Sequence, residues 1–322
     1  MALTQEKLQQ KRQALIDRTA LALSISSEET VDALSVMRRQ SVRLNTLKAP
    51  SNQTMAAIQA LGVKTSPVSW SPDCLFINEG LAILRDSSLA EDGSVYIQNA
   101  ASWLPVLALQ PEADDDVLDV CAAPGGKTSH IAQVAHNKAR ITANDNSRPR
   151  LLKMQHNTKR LGVDNISFTL HDASRLARNF EHESFDKILL DAPCSGEGMM
   201  TLDNKKDFES WSVAHIKRLQ QLQKKIITQA WQLLKPGGRL VYSTCTMAPE
   251  ENEAVIDYFL RHNDDVIVED IAWLGNELEN VVSPVLEWNS KVYDERINKA
   301  LRLAPSEHVE AFFVISVRKE LS

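Results

Sequence analysis

From Asp116 onward the chain alternates short apolar segments with longer segments of helical periodicity, and this alternation constrains the fold more than any other feature. Five segments predict strands: DVLDVCA, ARITAND, ISFTL, FDKILLDA and GRLVYSTC. Strands that alternate with helices form a parallel sheet covered by helices on both faces. The sequence therefore predicts an α/β fold with a doubly wound sheet within residues 111–322.

Two shorter regions precede this sheet. Residues 1–35 alternate apolar and charged positions at helical spacing, and Ser26, Ser27 and Glu28 before VDALSVM indicate the start of a second helix. Residues 36–110 consist of short segments separated by prolines and glycines, which is typical of a small mixed α/β region. We therefore expect a helical segment, a small α/β region and a large α/β domain.

Composition limits the classes of protein to which the chain can belong. Of its 322 residues, 43% are hydrophobic and 24% are charged, which is typical of an ordinary globular protein. The first residues, MALTQEKLQQKRQALIDR, lack the apolar region of a secretory signal, and no stretch reaches the roughly 18 apolar residues of a membrane span. We therefore expect a cytoplasmic protein without a membrane partner.

The net charge of -6 argues against a protein that coats nucleic acid by general electrostatic attraction, so any contact with RNA must be local. One basic cluster, in MRRQSVRLNTLK, is a candidate for such a contact. Its members are Arg38, Arg39, Arg43 and Lys48. A short basic run is also typical of a solvated surface, so both interpretations stay open.

The four cysteines are spread widely along the chain: Cys74, Cys121, Cys194 and Cys245. They have neither the CxxC spacing of a zinc site nor the density of a disulfide scaffold, so we expect free thiols and no metal. Cys74 and Cys121 fit the role of small buried hydrophobes. Cys194 and Cys245 instead lie in polar segments that follow predicted strands, which makes them candidates for chemistry.

Polar residues follow all five predicted strands of the large sheet. Ligands of doubly wound sheets bind beyond the carboxyl ends of the strands, so these residues should meet at one mouth. They are Cys121 to Lys127, Asn144 and Asp145, His171 and Asp172, Asp191 to Cys194, and Ser243 to Cys245.

The turn CAAPGGKT follows a strand and opens a helix, so Gly125 and Gly126 allow the backbone to approach a ligand at the helix N-terminus. A phosphate-binding P-loop would require glycine where this chain has Cys121, which disfavours an ATPase. Asp145, 20 residues after Gly125, suits the ribose hydroxyls of a nucleoside, although an aspartate there could also cap the next helix. The sequence predicts a Rossmann-like nucleoside site.

S-adenosylmethionine fits this site better than a nicotinamide cofactor. The turn lacks the full GxGxxG spacing of a dinucleotide site, and hydride transfer has no need for two cysteines at strand ends. Asp172 is a candidate contact for the adenine edge, with a helix cap as its alternative role.

Cys194 and Cys245 suit methylation at carbon 5 of cytosine. This carbon is a poor nucleophile until a thiolate adds at carbon 6, and a second group must then assist release of the product. Two cysteines at neighbouring strand ends fit these two tasks. Asp191 is a candidate to hydrogen-bond the ring nitrogen of the base, and Lys127 to favour the thiolate.

The same residues resemble a known family. DVCAAPGGKT, DAPCSGEG and YSTCTMAPEENEAVI are similar to motifs I, IV and VI of the Sun/Fmu RNA cytosine-5 methyltransferases, the RsmB-like and Nop-like enzymes. RLNTLK, YIQNAAS, LLKMQHNTKRLGV, LKPGGRLVYSTC and FFVISVRK also resemble the family, so the similarity extends over most of the chain.

The resemblance implies a Rossmann-like class I methyltransferase domain at 111–322 and a smaller RNA-binding α/β region at 36–110. It implies that Cys245 is the nucleophile, that Cys194 assists product release, and that Lys127 lies near the base. Motif IV supplies the nucleophile in DNA cytosine methyltransferases, so the presence of both cysteines favours RNA. The cofactor contacts implied are Cys121, Ala122, Ala123, Pro124, Gly125, Gly126, Lys127, Asp145, Asp172 and Asp191.

The resemblance favours ribosomal RNA as the substrate and leaves transfer RNA open. Two departures from the family pattern stand near the C-terminus: Glu310-Ala311 where a glycine usually precedes the two phenylalanines, and the unfamiliar stretch ELENVVSPVLEWNS. A non-catalytic RNA-binding platform is the competing function, although a platform would not need both thiols. Amino methylation is disfavoured because Cys194 replaces the second proline of the loop which that chemistry requires.

Overall fold

The computed structural model describes residues 4–321, so Met1 to Leu3 of the predicted helical segment and Ser322 lie outside the described residues. Two helices open the chain, α1 (Gln5–Leu23) and α2 (Ser27–Ser35). Ser26 caps α2: its hydroxyl accepts a hydrogen bond from the backbone N–H of Glu29, and the Glu29 carboxylate accepts one from the backbone N–H of Ser26. The predicted start of the second helix is confirmed.

The two N-terminal helices pack on a later part of the chain. Leu15 and Leu34 share a buried apolar cluster with Phe208 and Trp211, which lie far away in sequence. Lys11 donates a hydrogen bond of 2.6 Å to the carbonyl oxygen of Phe208. The helices therefore cover the large domain rather than forming a separate unit.

The next region contains a small antiparallel sheet. Its elements are β1 (Gln40–Leu44), α3 (Ser51–Ala60), β2 (Lys64–Val68), β3 (Ser71–Glu79), α4 (Leu81–Arg85), α5 (Ser88–Glu91) and β4 (Val95–Ile97). The strand order is β2-β3-β1-β4, with antiparallel pairing throughout. Val42, Leu44 and Ile58 form its apolar core. The predicted boundaries near residues 35 and 110 stay a prediction.

The remaining helices and strands form the large domain. Its helices are α6 (Leu104–Leu109), α7 (Gly126–Val134), α8 (Arg148–Arg160), α9 (Asp207–Ser210), α10 (Val213–Leu233) and α11 (Glu253–Arg261). Its strands are β5 (Asp116–Asp119), β6 (Arg140–Asn144), β7 (Ile166–Thr169), β8 (Phe185–Asp191), β9 (Leu234–Thr244), β10 (Val266–Val268), β11 (Val281–Val282), β12 (Glu287–Trp288), β13 (Lys291–Val292), β14 (Leu301–Leu303) and β15 (Phe312–Lys319). Short 3-10 helices lie at Ala100–Trp103, Ala173–Arg178, Glu197–Met199, Ala272–Gly275 and Glu295–Lys299.

The large sheet has the order β11-β14-β15-β9-β8-β5-β6-β7. Strand β10 also pairs with β15 and stands outside this order. Strands β5 to β9 run parallel, whereas β10, β11, β14 and β15 form antiparallel pairs. All five predicted strands lie in the parallel part, so the predicted doubly wound fold is confirmed. Strand order reverses beside β5, and ligands of such sheets bind at that reversal.

Alternate residues of the central strands feed two apolar cores, one on each face of the sheet. Ile188 and Leu190 face the core under α10 and α11, whereas Leu189 faces the opposite core under α6 and α7. Each such side chain contributes about 1.5–3 kcal/mol by leaving water. The strand ends at the ligand edge are thereby held rigidly from both sides.

Within residues 4–321, every helix is too short or too polar to cross a lipid bilayer.

Candidate active site

The loop between β5 and α7 is shaped by its glycines. Gly125 has a left-handed backbone (φ 97°), and a Cβ there would lie 3.1 Å from the Met154 side chain. A Cβ on Gly126 would lie 3.1 Å from the ring of Tyr96. Arg150 fixes the loop from outside by donating a hydrogen bond of 2.7 Å to the carbonyl of Ala123. At Gly125 and Gly126 the backbone therefore lies too close to neighbouring side chains for a residue larger than glycine.

A cavity of about 160 Å³ lies against this loop. The small sheet and the segment after it, which includes the 3-10 helix Ala100–Trp103, contribute Tyr96, Gln98 and Ser102 to its wall, and the large domain contributes the rest. The residues from the large domain are Asp119, Cys121, Ala122, Ala123, Pro124, Gly126, Lys127 and Asp191. Six of the seven predicted loop residues, Cys121 to Lys127 without Gly125, thus line one cavity together with Asp191.

Asp119 is a cavity residue that the sequence analysis missed. Its side chain is buried, one carboxylate oxygen accepts a hydrogen bond of 2.7 Å from Thr128, and the other has no partner within residues 4–321. Burial raises the pKa of Asp119 to about 7, although the Thr128 hydroxyl opposes the shift. The signal was available, because Asp119 ends the strand segment DVLD, but it was interpreted as part of the strand interior.

The amide oxygen of Gln98 is likewise buried without a partner in the described chain, and it faces the same cavity. The cavity wall thus has two acceptors without a partner in the described chain, one oxygen of Asp119 and the amide oxygen of Gln98. They suit a ligand that carries a hydrogen-bond donor or an ammonium group. S-adenosylmethionine has such an ammonium at its amino-acid end. The residues present therefore fit this cofactor.

Asp145 and Asp172 lie outside the cavity wall. Asp145 is buried, accepts a hydrogen bond of 2.9 Å from the backbone N–H of Ser147 and lies 3.2 Å from an Arg150 nitrogen. Asp172 is exposed, and its carboxylate accepts hydrogen bonds from the backbone and hydroxyl of Ser174, which lower its pKa. The helix-capping role that the sequence left open is thus present at Asp172, which caps the 3-10 helix Ala173–Arg178. Cofactor contacts at both positions stay predictions.

Lys127 and Asp191 form an ion pair at the mouth. The Lys127 ammonium donates to one oxygen of Asp191 at 2.7 Å, and the Ser243 hydroxyl donates to the other at 2.8 Å. Burial is the largest single influence on the pKa of Lys127 and lowers it, but the charge and hydrogen bond of Asp191, together with the charge of Asp119, outweigh burial and raise the pKa. Lys127 therefore stays cationic, and Cys245 lies close enough for a negative charge on its sulfur to interact with it.

Cys194 and Cys245 meet at the ends of β8 and β9. These strands pair in parallel with Asp191 opposite Ser243, so the two loops that follow begin side by side. The two sulfur atoms lie 3.4 Å apart. The hydrogen bond with Cys245, together with burial, raises the pKa of the Cys194 thiol well above its ordinary value. Cys194 therefore stays protonated and can donate a hydrogen bond to the sulfur of Cys245.

The other two cysteines occupy different surroundings. Cys74 is buried and accepts a hydrogen bond of 3.1 Å from the Ser71 hydroxyl, and burial raises its pKa to about 12. Cys121 is partly exposed and lines the cavity. The expectation of a small buried hydrophobe thus fits Cys74, whereas Cys121 has a cavity position.

A buried carboxylate fastens the Cys194 loop, and the sequence analysis did not assign it. Glu251 is fully buried, and its oxygens accept hydrogen bonds from the backbone N–H of Ser195 at 3.0 Å, the Ser195 hydroxyl and the Gln223 amide at 2.8 Å. Gln223 also donates to the carbonyl of Pro193 at 2.9 Å. Burial raises the pKa of Glu251 to about 7. Adjacent carboxylates in the string PEENE were the available signal.

The loops after β8 and β9 also touch directly. The backbone N–H of Gly198 donates a hydrogen bond of 3.0 Å to the carbonyl of Cys245. A Cβ on Gly198 would lie 2.3 Å from the carbonyl oxygen of Ala311 and 2.8 Å from that of Cys245. Only glycine permits this approach, so Gly198 helps to set the backbone of Cys245.

The prediction that Arg43 contacts RNA is wrong. Its side chain is fully buried, and its guanidinium donates hydrogen bonds of 2.6 Å to the Gln133 amide oxygen and 2.7 Å to the Ser129 hydroxyl. Arg43 lies on β1 and Gln133 on α7, so this arginine joins the small sheet to the large domain. Residues Ser41 to Leu44 of β1 are all buried, so Arg43 has no exposed face on this strand.

The remaining members of the basic cluster do not form one surface with Arg43. Arg39 is exposed and pairs with Glu307 at 2.7 Å. Arg38 is largely enclosed, two of its guanidinium nitrogens have no partner within residues 4–321, and burial lowers its pKa. Lys48 is exposed, and its side chain lies against Gly162. RNA contacts by Arg38, Arg39 and Lys48 stay predictions.

The chain is similar in sequence to a known family and to named RNA methyltransferases. A family model described as 16S rRNA methyltransferase RsmB/F matches residues 106–318. The tRNA (cytosine(49)-C(5))-methyltransferase of Pyrococcus abyssi is 36% identical over 300 residues, which cover 91% of this chain and 92% of the relative. The ribosomal RNA small subunit methyltransferase F of Serratia proteamaculans is 35% identical over 312 residues, which cover 95% of this chain but 62% of the relative. The chain thus spans less than two thirds of that second relative's length.

Solved structures share the architecture. A methyltransferase homolog protein from Pyrococcus horikoshii superposes with a TM-score of 0.78 at 30% identity, covering 95% of this chain and 99% of the other. NSun6 from the same organism, in a structure with SFG, superposes with a TM-score of 0.77 at 24% identity, covering 96% and 98%. The second similarity concerns the fold alone. Together they confirm the predicted Rossmann-like methyltransferase fold.

Proposed function

Because the chain belongs to the RsmB/F family of 16S rRNA methyltransferases, we propose that it uses S-adenosylmethionine to methylate carbon 5 of cytosine in RNA. The observation that carries this proposal is the pair of thiols, Cys194 and Cys245, with sulfur atoms 3.4 Å apart at the ends of adjacent parallel strands. A non-catalytic platform would have no use for this pair beside a cavity that fits the cofactor. Asp119, Gln98 and the loop from Cys121 to Lys127 would hold the cofactor, which supplies an electrophilic methyl group when bound.

Cys245 would begin the reaction as a thiolate. Its sulfur adds to carbon 6 of the cytosine, and the electron pair of the C5–C6 double bond moves so that carbon 5 becomes nucleophilic. The Lys127 ammonium and the Cys194 thiol both favour the anionic sulfur. Asp191 accepts two hydrogen bonds and retains free lone pairs, which suit a hydrogen bond to the protonated ring nitrogen of the base.

Product release would reverse the addition. The proton on carbon 5 passes to a base, the C5–C6 double bond forms again, and the bond between carbon 6 and the Cys245 sulfur breaks. Cys194 keeps its proton because its pKa is raised, and at 3.4 Å it can donate a hydrogen bond that stabilises the departing thiolate sulfur of Cys245. Loss of Cys194 should therefore slow release more than attack. The target base must be unpaired or flipped out to reach this site.

Two RNA classes remain in the proposal. Ribosomal RNA follows from the family description and from the relative in Serratia proteamaculans. Transfer RNA is the second candidate, supported by the relative in Pyrococcus abyssi, with which this chain aligns over 92% of the relative's length.

The experiment incubates the purified protein with tritiated S-adenosylmethionine and, separately, ribosomal and transfer RNA from a strain that lacks the gene. Digestion to nucleosides and chromatography identify the labelled product. We expect label in 5-methylcytidine from one RNA class. Label in another nucleoside would overturn the cytosine assignment, and an absence of label together with an absence of cofactor binding would support the platform instead.

A further inference from the structure

A groove runs along the outer faces of α10 and α11 and is bounded by the β12–β13 hairpin, Glu287 to Val292. We call it the hairpin groove, and it encloses about 730 Å³. The first half of the hairpin belongs to the stretch ELENVVSPVLEWNS, which departs from the family pattern. Neither the cofactor cavity nor the cysteine pair accounts for this groove.

The wall of the hairpin groove carries an excess of positive charge. Its two carboxylates are already paired, Glu250 with Arg18 at 2.8 Å and Asp257 with Arg261 at 2.9 Å. The remaining cations of the wall, which have no carboxylate partner within residues 4–321, are Lys217, Lys224 and Lys291. The chain as a whole has a net charge of -6, so this local excess is not a general property of its surface.

Two of these lysines act on each other across the groove. Partial burial lowers the pKa of Lys224 on α10, and repulsion by Lys291 on the hairpin lowers it further, while the Asp257 carboxylate opposes both. Like charges held in this way are stabilised when an anion lies between them. A second cavity of about 310 Å³ continues past Lys224 to Lys225, so the positive surface is elongated.

The groove also offers an aromatic surface. The Lys224 ammonium lies 4.7 Å from the centre of the Tyr258 ring, and the His262 ring stacks on Tyr258 with centroids 4.1 Å apart. Lysines combined with aromatic rings along an elongated groove are typical of surfaces that bind single-stranded nucleic acid.

The hairpin groove shares its walls with the supports of the active site. Gln223, whose side chain fastens the Cys194 loop, directly precedes Lys224 on α10. On the other wall Glu250 directly precedes Glu251, which holds the same loop. A strand of RNA that leaves the cytosine site therefore meets a positive surface on the outside of the same two elements.

We propose that the hairpin groove binds the phosphate backbone of the substrate RNA outside the cytosine site. This inference rests on the proposed function for the identity of the polyanion. Lys217, Lys224 and Lys291 supply the phosphate contacts, and Tyr258 supports them. Because these contacts involve no base edges, they hold the RNA without selecting the methylated position.

The test uses full-length Lys224→Glu, Lys291→Glu and the double variant. The matched control is Lys138→Glu, an exposed lysine just before β6, at the sheet edge opposite the active site. Fluorescence anisotropy measures binding of a labelled single-stranded RNA without cofactor at several salt concentrations. Each single variant should lower the slope of log K against log salt by about 0.7, and the double should raise Kd about tenfold.

Kinetics separate this inference from the proposed function. The double variant should raise KM for RNA about tenfold while kcat at saturating RNA and the Kd for S-adenosylmethionine stay within about twofold. RNA binding and salt dependence equal to those of the control would overturn the inference. So would a double variant that binds RNA normally but no longer binds polyglutamate, because the groove would then serve an acidic protein segment. If wild type binds RNA through the groove but methylates none, the proposed function fails while this inference stands.

Discussion

Glu251 offers a quantitative test of how the Cys194 loop is held. Its buried carboxylate accepts three hydrogen bonds from Ser195 and Gln223, and its pKa rises from an ordinary 4.5 to about 7. The two substitutions of interest are Glu251→Gln, which copies the protonated acid, and Glu251→Ala, which removes every acceptor.

The sign of the pH effect follows from the direction of this shift. Below pH 4.5 the carboxyl is protonated in both the folded and the unfolded chain. Between 4.5 and 7 the unfolded chain releases its proton first, so the free energy of unfolding falls as pH rises, and above 7 the loss is complete. A shift of this size corresponds to about 3 kcal/mol in total and about 2.5 kcal/mol between pH 5 and pH 8.

The amide introduced by Glu251→Gln can satisfy the same neighbours. Its oxygen can accept from the Ser195 N–H and from Gln223, while its NH2 group donates to the Ser195 hydroxyl, which then donates to Thr246, 2.8 Å away. Glu251→Gln should therefore gain about 2.5 kcal/mol relative to wild type from pH 5 to pH 8. Glu251→Ala leaves two buried donors without partners and should cost about 2–6 kcal/mol at pH 5. The cost should be about 2.5 kcal/mol smaller at pH 8, because this variant also lacks the group that titrates.

Urea unfolding at fixed ionic strength, followed by tryptophan fluorescence, gives the free energies at the two pH values. Glu79→Gln is the control, because Glu79 is exposed, and its difference from wild type should stay within about 0.5 kcal/mol. Methylation should survive in Glu251→Gln and fall sharply in Glu251→Ala, since only the latter releases the Cys194 loop. A difference between Glu251→Gln and wild type that does not change with pH would refute the reasoning.

Three further substitutions test other parts of the structure. Asp119→Asn should weaken binding of S-adenosylmethionine about tenfold at pH 8, because it removes the orphaned buried carboxylate, and calorimetry measures the loss. Gly198→Ala should abolish methylation while cofactor binding persists, because the added Cβ would lie 2.8 Å from the carbonyl of Cys245. In wild type the buried Arg302 guanidinium lies 2.6 Å from the buried Glu253 carboxylate. Arg302→Met leaves that carboxylate without its cation and should cost about 3–5 kcal/mol of stability, which urea unfolding measures.

A specific result would contradict each of these three expectations. Asp119→Asn with wild-type cofactor affinity at pH 8 would remove that residue from the cofactor site. Normal turnover in Gly198→Ala would mean that the loops after β8 and β9 can separate without harm. Arg302→Met with unchanged stability would show that Glu253 finds another partner or becomes protonated at little cost.

The parallel part of the fold could be predicted because its strands are short apolar runs between helices of clear periodicity. The segments β10 to β14 could not, because two or three residues carry no periodicity, and β10 and β14 depend on β15 for their pairing. The packing of α1 on Phe208 was also out of reach. Contacts between residues so far apart in sequence follow from tertiary geometry rather than local pattern.

Part of the candidate site could likewise be predicted from the sequence, and part could not. The sequence could bring Cys194 and Cys245 to one mouth, because neighbouring parallel strands end at the same edge. It could not assign Glu251, whose importance comes from burial and from three donors on other elements. It misjudged Arg43, because this basic residue was interpreted as part of a surface cluster, whereas its side chain is buried and donates hydrogen bonds to Gln133 and Ser129.

The most direct test of the two thiol roles is a search for a covalent protein–RNA adduct. Wild type, Cys245→Ala, Cys194→Ala and the double variant are incubated with S-adenosylmethionine and the RNA class that wild type labels, and are then separated on a denaturing gel. The account predicts that Cys194→Ala retains RNA in a band sensitive to ribonuclease, whereas Cys245→Ala and the double variant show no such band. An adduct in Cys245→Ala, or normal turnover in that variant, would contradict it.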